Sequence, residues 1–232
     1  MPRDIARNGK GAALMIKIAV FDLDGTLVNS LTDLALSVNA ALRAEGLPEH
    51  PIERYKHFVG NGRDMLVKRA MGAAAEDIEL FNSVMEIYNR EYKLHCNDNT
   101  TAYDGCADLL RCLSERGVMT AVLSNKPDEF VDDILGRLYP AHRFDEAWGQ
   151  KPQYPCKPDG AALNAILRLH GVEPQECVYI GDSDVDVYTA QNAGVKFAGV
   201  SWGFRGREEL LAAGAQFVAD TARELLEYIL SL

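Results

Sequence analysis

The sequence predicts an α/β fold, a doubly wound, Rossmann-like parallel sheet with an inserted helical cap domain. Three observations predict it. Short apolar runs rich in β-branched residues alternate with helical patterns, which is typical of a parallel sheet covered by helices on both faces. The first run, residues 16–21, stops abruptly at Asp22 and Asp24, and ligands of such folds bind beyond the carboxyl ends of the strands. Residues 31–96 contain no convincing strand pattern, so an all-helical segment interrupts the alternation.

Each element is predicted from its periodicity and its end signals. Residues 31–46 carry apolar side chains at helical spacing and end at Gly46-Leu47-Pro48, a combination that stops helices. The predicted strands cover residues 16–21, 118–123, 144–148, 177–180, 196–200 and 216–219. Helical segments are predicted at residues 31–46, 52–58, 63–71, 76–95, 104–117, 130–138, 160–170, 189–193 and 222–230.

The all-helical segment divides the chain into domains. Four helical segments in succession are too many for a single crossover between two strands, so residues 30–100 are predicted to form the cap domain. Residues 15–29 and 101–232 then form the core domain. Residues 1–14 are polar and basic without periodicity, and we expect a leader that is disordered or foreign to the protein.

Composition excludes several classes of function. The formal net charge is −10, which opposes binding to nucleic acid or to an anionic membrane surface, because phosphate contacts need clustered Lys and Arg. No apolar run is long enough to cross a bilayer. The five cysteines contain no Cys-x-x-Cys pair and the histidines have no ligand spacing. We therefore expect reduced thiols, no zinc site, and a cytoplasmic monomer or homodimer.

Polar side chains follow three of the predicted strands and one loop between them. They are Asp22 and Asp24, then Ser124 and Asn125, then Lys157, and finally Asp182 and Asp186. Parallel neighbouring strands would bring all of these groups to one edge of the sheet. Carboxylates there suit Mg²⁺, and a hydroxyl, an amide and an ammonium suit phosphate oxygens. Taken alone, Ser124 could be a helix cap and Lys157 a solvated lysine, but the set favours a phosphate site.

The same residues resemble the four motifs of the haloacid dehalogenase superfamily, in the same order. The motifs are Asp22-Leu23-Asp24-Gly25-Thr26, Ser124-Asn125, Lys157 and Gly181-Asp182-Ser183-x-x-Asp186. The resemblance extends from Met15 to the C-terminus and is strongest to phosphoglycolate phosphatases. That finer resemblance rests on Phe58-Val59-Gly60-Asn61-Gly62 and Ser201-Trp202-Gly203-Phe204-Arg205. Asn29, where these phosphatases usually carry Asp, and Gly160, where a Pro is usual, depart from it and put the substrate in doubt.

The resemblance implies a role for each motif residue. Asp22 would be the nucleophile that forms an aspartyl-phosphate, and Asp24 would be the general acid and base. Mg²⁺ would be held by the Asp22 carboxylate, the Asp24 backbone carbonyl and Asp182, with Asp186 supporting the metal from nearby. The remaining phosphate oxygens would be held by Ser124, Asn125 and Lys157.

The function predicted is a Mg²⁺-dependent phosphatase for a small phosphorylated metabolite, with 2-phosphoglycolate as the favoured substrate. Arg63 follows Gly60-Asn61-Gly62 at the start of a predicted helix, and its planar fork of donors suits a carboxylate. A plain turn between helices with a solvated Arg63 is nearly as well supported. The alternatives are a phosphosugar mutase similar to β-phosphoglucomutase or a pyrophosphatase on the same scaffold, and, in another class, a phospho-accepting signalling module.

Overall fold

The computed structural model describes residues 15–232 and confirms the predicted fold class. Its strands are β1 (Ile18–Phe21), β2 (Val28–Asn29), β3 (Thr101–Ala102), β4 (Met119–Pro127), β5 (Glu146–Gln150), β6 (Cys177–Gly181), β7 (Lys196–Val200) and β8 (Val218–Ala219). Six of them form a parallel sheet in the order β5-β4-β1-β6-β7-β8. The predicted leader, residues 1–14, lies outside the described residues.

The helices follow the predicted positions with differences at their ends, except that the helix Gly206–Ala212 was not predicted. They are α1 (Leu31–Ala44), α2 (Arg63–Met71), α3 (Ile78–His95), α4 (Cys106–Glu115), α5 (Asp128–Leu138), α6 (Ala161–His170), α7 (Asp184–Ala193), α8 (Gly206–Ala212) and α9 (Ala222–Ser231). Three short 3-10 helices join them at Ile52–His57, Gly72–Glu76 and Pro174–Glu176. Within residues 15–232, no helix combines the length and the apolar composition that crossing a bilayer requires.

Strand β1 lies at the centre of the sheet and is buried on both faces. Ile18 pairs with Met119 of β4 on one side and with Cys177 of β6 on the other. Ala19 and Phe21 face the core made with α4, α5 and α9, whereas Ile18 and Val20 face the core made with α6 and α7. The uninterrupted apolar run therefore reflects burial of both faces, as expected of a parallel strand covered by helices.

Residues 30–100 are mostly helical, and we call this stretch the helical insert. Helices α1, α2 and α3 pack around an apolar cluster that includes Val38, Val67 and Tyr88, together with Phe204 from the C-terminal part of the chain. At the root of the insert, β2 pairs with β3 in antiparallel register, Asn29 opposite Thr101. The chain thus leaves the core and returns to it at adjacent points. Neither β2 nor β3 was predicted, because two-residue strands carry too few side chains to show a period of two.

A buried carboxylate joins the two connections of the insert. Asp33, in the first turn of α1, accepts hydrogen bonds from four donors of Asn99 and Thr100 at 2.6–3.0 Å. The donors are both backbone N–H groups, the Asn99 amide and the Thr100 hydroxyl. A buried carboxylate that accepts this many hydrogen bonds is well compensated for its desolvation, so Asp33 fastens the returning chain to the first helix of the insert.

Replacing Asp33 by Ala should lower the free energy of unfolding by about 2–4 kcal/mol, because four donors lose a charged acceptor inside the protein. Urea titration followed by circular dichroism measures the change. Asp132→Ala is the matched control, since Asp132 is an exposed helical aspartate, and it should change the stability by less than about 0.5 kcal/mol. Equal effects of the two substitutions would contradict the role given to Asp33.

Candidate active site

Three buried aspartates meet at the carboxyl edge of the central strands. Asp22 follows β1, Asp182 follows β6, and Asp186 lies in the first turn of α7. One carboxylate oxygen of each lies within 4.8 Å of those of the other two. Asp182 accepts hydrogen bonds from the Phe204 N–H at 2.6 Å and from the Thr26 hydroxyl at 3.4 Å. The central position of β1 in the sheet therefore brings together the aspartates that the sequence singled out.

Helix α7 begins at Asp184, five residues before the predicted helical segment 189–193. Asp186 Oδ2 accepts from the Ser183 N–H at 3.1 Å and from the Ser183 hydroxyl at 2.7 Å. These two hydrogen bonds fix the Asp186 side chain at the helix N-terminus. Asp186 was predicted as a site residue from its motif. Its hydrogen bonds at the N-terminus of α7 were not predicted.

Lys157 lies among the carboxylates. Its Nζ is 2.7 Å from Asp22 Oδ1 and 2.8 Å from Asp186 Oδ1, and it also donates to the Tyr179 hydroxyl at 3.0 Å. The Lys157 side chain is 4% exposed. A buried lysine requires such partners to compensate for its lost hydration, so the ammonium and the aspartates hold one another in place.

Asn125 ties the Lys157 loop to the sheet and to the insert. Its Oδ1 accepts from the Lys157 N–H at 2.8 Å, and its Nδ2 donates to the carbonyls of Lys157 and Gly60, both at 3.0 Å. Strand β4 continues through Ser124 and Asn125 to Pro127, with a shift of register after Leu123. These two residues thus belong to the irregular end of the strand, whereas the sequence predicted that the strand ends before them.

The pKa values of the cluster are shifted by burial and by the neighbouring charges. Burial raises the pKa of Asp22 to about 7, with Lys157 opposing the rise and Asp186 adding to it. The pKa of Asp182 is raised well above its usual value by burial and by the neighbouring Asp186 and Asp22. Burial acts to lower the pKa of Lys157, but Asp186 and Asp22 raise it well above its usual value. Lys157 contacts two of the three carboxylates, Asp22 and Asp186, and its single charge does not balance all three, so the site can accept further positive charge.

The donor set fits a hard divalent cation. The three clustered side chains offer only carboxylate oxygens, which are the ligands that Mg²⁺ prefers. The backbone also approaches closely, because a Cβ on Gly25 or Gly203 would overlap the Asp182 carboxylate. The aspartates of this cluster could therefore hold a metal ion.

Asp24 is held by a separate group of residues. Its Oδ1 accepts from the Ser30 hydroxyl at 2.5 Å and lies 2.9 Å from Lys126 Nζ, and its Oδ2 lies 3.0 Å from the same Nζ. The Lys126 side chain is 2% exposed, and its Nζ lies 5.0 Å from the centroid of the Tyr92 ring in α3. Asp22 and Asp24 are only two residues apart but have different ammonium partners.

A cleft of about 480 Å³, including its open mouth, separates the core from the helical insert. On the core side it is lined by Asp22, Asp24, Ser124, Asn125, Lys126, Pro127 and Lys157. On the insert side it is lined by Leu34, Val59, Gly60, Gly62, Arg63, Leu66, Tyr88 and Tyr92. The Arg63 side chain is 39% exposed and makes only long contacts, at 3.4 Å to Asn89 Oδ1 and 3.6 Å to Asp64 Oδ1. Arg63 therefore faces the same cleft as the core residues.

The structure brings every predicted site residue to this cleft or to the aspartate cluster at its base, and it adds residues that were not predicted. Lys126 stands directly after Ser124-Asn125, and that adjacency was the available signal. Tyr179 lies inside an apolar strand, where an aromatic residue is common. Nothing in the sequence therefore indicates its hydrogen bonds with Lys157 and Asp186. Ser30 is a single hydroxyl at the start of a helix and was equally inconspicuous.

Known proteins are similar to this chain over at least 90% of its length. Residues 19–200 match the family model described as haloacid dehalogenase-like hydrolase. A Pseudomonas putida protein named phosphoglycolate phosphatase is 34% identical over 90% of this chain and 78% of its own length. A protein of the same name from Vibrio vulnificus is 33% identical over 93% of this chain and 96% of its own length. A solved structure from Lactobacillus delbrueckii subsp. bulgaricus, described as a candidate phosphoglycolate phosphatase, has a TM-score of 0.89 at 33% identity. It covers 94% of this chain and 100% of its own.

Substituting Gly203 by Ala should damage the aspartate cluster. The added Cβ would overlap the Asp182 side chain and the Gly25 carbonyl, so the stability should fall by about 1–3 kcal/mol and the Asp182 carboxylate should be displaced. Differential scanning calorimetry and a phosphatase assay measure the two effects. Gly136→Ala is the control, since a Cβ added at this position of α5 would meet nothing within 4 Å, and it should gain about 0.5–1 kcal/mol. Wild-type stability and activity in the Gly203 variant would contradict the close approach.

Proposed function

This chain belongs to the haloacid dehalogenase-like hydrolases and is a phosphoric monoester hydrolase, and on that premise we propose that it hydrolyses 2-phosphoglycolate or a closely similar small phosphate monoester. The reaction passes through an aspartyl-phosphate and uses Mg²⁺. The observation that supports this most directly is the buried cluster of Asp22, Asp182 and Asp186 around Lys157 at the base of a cleft. Such a cluster provides a nucleophile, a cation site and a phosphate-binding ammonium in one place.

The proposed reaction has two displacements. In the first, an oxygen of Asp22 attacks phosphorus, the bond from phosphorus to the ester oxygen breaks, and Asp24 gives a proton to the departing oxygen. In the second, Asp24 takes a proton from water, the water oxygen bonds to phosphorus, and the bond to Asp22 breaks to release inorganic phosphate. Covalent catalysis divides one difficult hydrolysis into two easier steps, and one carboxyl serves as acid and then as base.

The phosphoryl group is bound by cations and dipoles of the core. Lys157 contacts the nucleophile directly, so its positive charge lies beside the place where the phosphoryl oxygens would lie. Ser124 lines the same cleft with its hydroxyl. Asn125 fixes the Lys157 loop through both of its amide atoms and lines the cleft next to Ser124. Together these three residues hold the phosphoryl oxygens while the ester bond breaks.

Mg²⁺ would be held by the carboxylates of Asp22 and Asp182 and by the backbone carbonyl of Asp24. Both oxygens of Asp186 already have protein partners, namely Lys157, Tyr179 and Ser183, so this residue supports the site by placing Lys157. When bound, the ion supplies charge that offsets the repulsion between the Asp22 carboxylate and the phosphoryl group.

The helical insert acts as the cap domain and selects the substrate. The loop of Gly60 and Gly62 contacts the core through Asn125, and it adopts the positive φ values of 120° and 83° that favour glycine. Arg63 follows at the N-terminus of α2, and its contacts with Asn89 and Asp64 are long, at 3.4 and 3.6 Å. Its guanidinium suits the carboxylate of a short phosphorylated acid, which is why 2-phosphoglycolate is the substrate favoured here.

The remaining features of the proposal concern the protein as a whole. The core comprises residues 15–29 and 101–232, and the cap comprises residues 30–100. We expect a cytoplasmic monomer or homodimer that binds a small phosphorylated metabolite and no nucleic acid. Steady release of inorganic phosphate distinguishes this proposal from a phosphosugar mutase, which releases little, and from a phospho-accepting module, which releases at most one equivalent.

Asp22→Asn should reduce kcat/KM for 2-phosphoglycolate by at least about a thousandfold, a barrier change of roughly 4 kcal/mol, because an amide is a poor nucleophile. Phosphate release measures the loss, and circular dichroism should show an unchanged fold, since Lys157 keeps Asp186 as a partner. Asp132→Asn, on the surface of α5, should retain full activity. A loss of less than about tenfold for Asp22→Asn would exclude it as the nucleophile.

Removing divalent cations with EDTA should abolish phosphate release, and Mg²⁺ should restore it. Ca²⁺ should restore far less, because it prefers more ligands at longer distances and would misplace the nucleophile. A titration of each ion into the chelated protein, followed by phosphate release and by calorimetry, measures activity and binding separately. Full activity with Ca²⁺, or undiminished activity in EDTA, would contradict the proposed Mg²⁺ site.

Arg63→Ala should lower kcat/KM for 2-phosphoglycolate by about 10- to 100-fold, because a charged hydrogen-bonding partner of the carboxylate is lost. Ethyl phosphate has the same ester oxygen but no carboxylate, and with it the same variant should stay within about threefold of wild type. Arg90→Ala is the control, since Arg90 is an exposed arginine of α3 outside the cleft. Equal losses on the two esters would place Arg63 outside substrate selection.

A further inference from the structure

We propose that Lys126 is a positioning residue for Asp24, and that the helical insert keeps Lys126 in place through the ring of Tyr92. The inference rests on the proposed function, which gives Asp24 its proton-transfer role. Nothing in the motif pattern of the sequence assigned a task to Lys126. The contacts of the Lys126 ammonium and the burial of its side chain point to that role.

The two oxygens of Asp24 are held unequally. Oδ1 accepts from the Ser30 hydroxyl at 2.5 Å and from Lys126 Nζ at 2.9 Å, whereas within residues 15–232 Oδ2 accepts only from the Nζ, at 3.0 Å. Oδ1 thus anchors the carboxyl group, and Oδ2 keeps a lone pair for exchanging a proton with the substrate or with water. Without Lys126, the carboxyl would be held by one hydroxyl and would be free to rotate.

The Lys126 ammonium forms an ion pair with the Asp24 carboxylate. Its side chain is 2% exposed and therefore needs a partner for its charge. Lys157 is the cation of Asp22 and Asp186, so each of the two neighbouring aspartates Asp22 and Asp24 has its own ammonium. This division keeps the nucleophile and the acid in different positions although they stand two residues apart. A proton donor displaced by as little as 1 Å loses about a hundredfold in rate, so such anchoring has a direct kinetic consequence.

The insert contributes to both anchors of Asp24. Tyr92 of α3 presents its ring face to the Lys126 ammonium at 5.0 Å, a distance at which cation–π attraction acts. That ring is itself fixed by stacking on Tyr88, at 5.6 Å between centroids, and by an edge contact with Phe130 at 5.1 Å. Ser30 directly precedes α1, the first helix of the insert. The insert therefore helps to hold the acid in position.

The test compares esters that differ in their need for a proton. Nitrophenolate leaves without protonation, whereas phenolate and especially an alkoxide depend on it. Lys126→Met keeps the apolar stem and removes the charge. Its kcat/KM should fall by about a hundredfold or more for phenyl phosphate, ethyl phosphate and 2-phosphoglycolate. For p-nitrophenyl phosphate it should fall by less than about tenfold, because kcat/KM reports the steps up to departure of the leaving group.

Further variants separate positioning from a purely structural role. Asp24→Asn should show the same dependence on the leaving group, because Lys126 acts through Asp24. Tyr92→Leu should show it more weakly, and Tyr92→Phe, which keeps the ring face, should lie closer to wild type than Tyr92→Leu. Lys17→Met is the control, since Lys17 is an ion-paired but exposed lysine before β1, and it should hydrolyse all four esters as wild type does. Should circular dichroism show that Lys126→Met is unfolded, Lys126→Arg carries the same comparison, because its larger head group displaces Asp24.

Each outcome decides the inference. A loss that is equal on all four esters, or no loss at all, would overturn it. A loss confined to 2-phosphoglycolate and absent with ethyl phosphate would also overturn it, because Lys126 would then be a receptor for the substrate carboxylate. A wild-type protein that hydrolyses none of the esters would overturn the proposed function and this inference with it, whereas a wild-type phosphatase whose Lys126 variants show no leaving-group dependence would overturn the inference alone.

Discussion

The buried ion cluster of Lys157, Asp22 and Asp186 is the interaction on which the site depends. Burying carboxylates away from water is costly unless charge and hydrogen bonds compensate, and here one ammonium serves two carboxylates at 2.7 and 2.8 Å. The cluster can form because three separate chain segments end at the same edge of the sheet. Asp22 follows the central strand, Asp186 lies in the first turn of α7, and Lys157 lies in a loop that is hydrogen-bonded to Asn125. Disturbing any of these segments would leave a buried charge without its partner.

Polar contacts close the root of the helical insert and join the insert to the core. Asp33 fastens the returning end of the insert to its first helix. Asn125 bonds to the Gly60 carbonyl across the cleft, and Arg205 bonds to the Val59 carbonyl. The β2–β3 pair brings both connections to one place at the root of the insert. The apolar cluster of the insert also includes Phe204 of the core, and the loops of the insert contribute directly to the cleft. This arrangement lets the core bind the phosphoryl group and leaves the insert to contact the rest of a substrate.

Much of the fold and of the site could be predicted from the sequence, because the signals were strong where burial is complete. The central strand is apolar on both faces and ends in two aspartates, so both its position and its task could be predicted. The helical stretch without strands was equally clear. The short pair β2–β3 and the seven-residue α8 were missed, since elements of that length carry no period. Lys126 and Tyr179 were missed because their importance lies in a partner distant in sequence, Asp24 and Lys157 respectively, and one-dimensional spacing does not reveal such a partner.

The central position of β1 has a consequence for the order in which the chain can fold. Ile18 pairs with Met119 and Cys177, so the first strand to be synthesised must wait for partners made much later. At about 5–20 residues per second, the nearer partner follows after roughly 5–20 s. Helices α1 to α3 are complete before Met119 is synthesised, so they can pack while β1 still has an unpaired backbone. During that interval an apolar strand is exposed on the nascent chain, which makes β1 the segment that a chaperone would have most reason to cover.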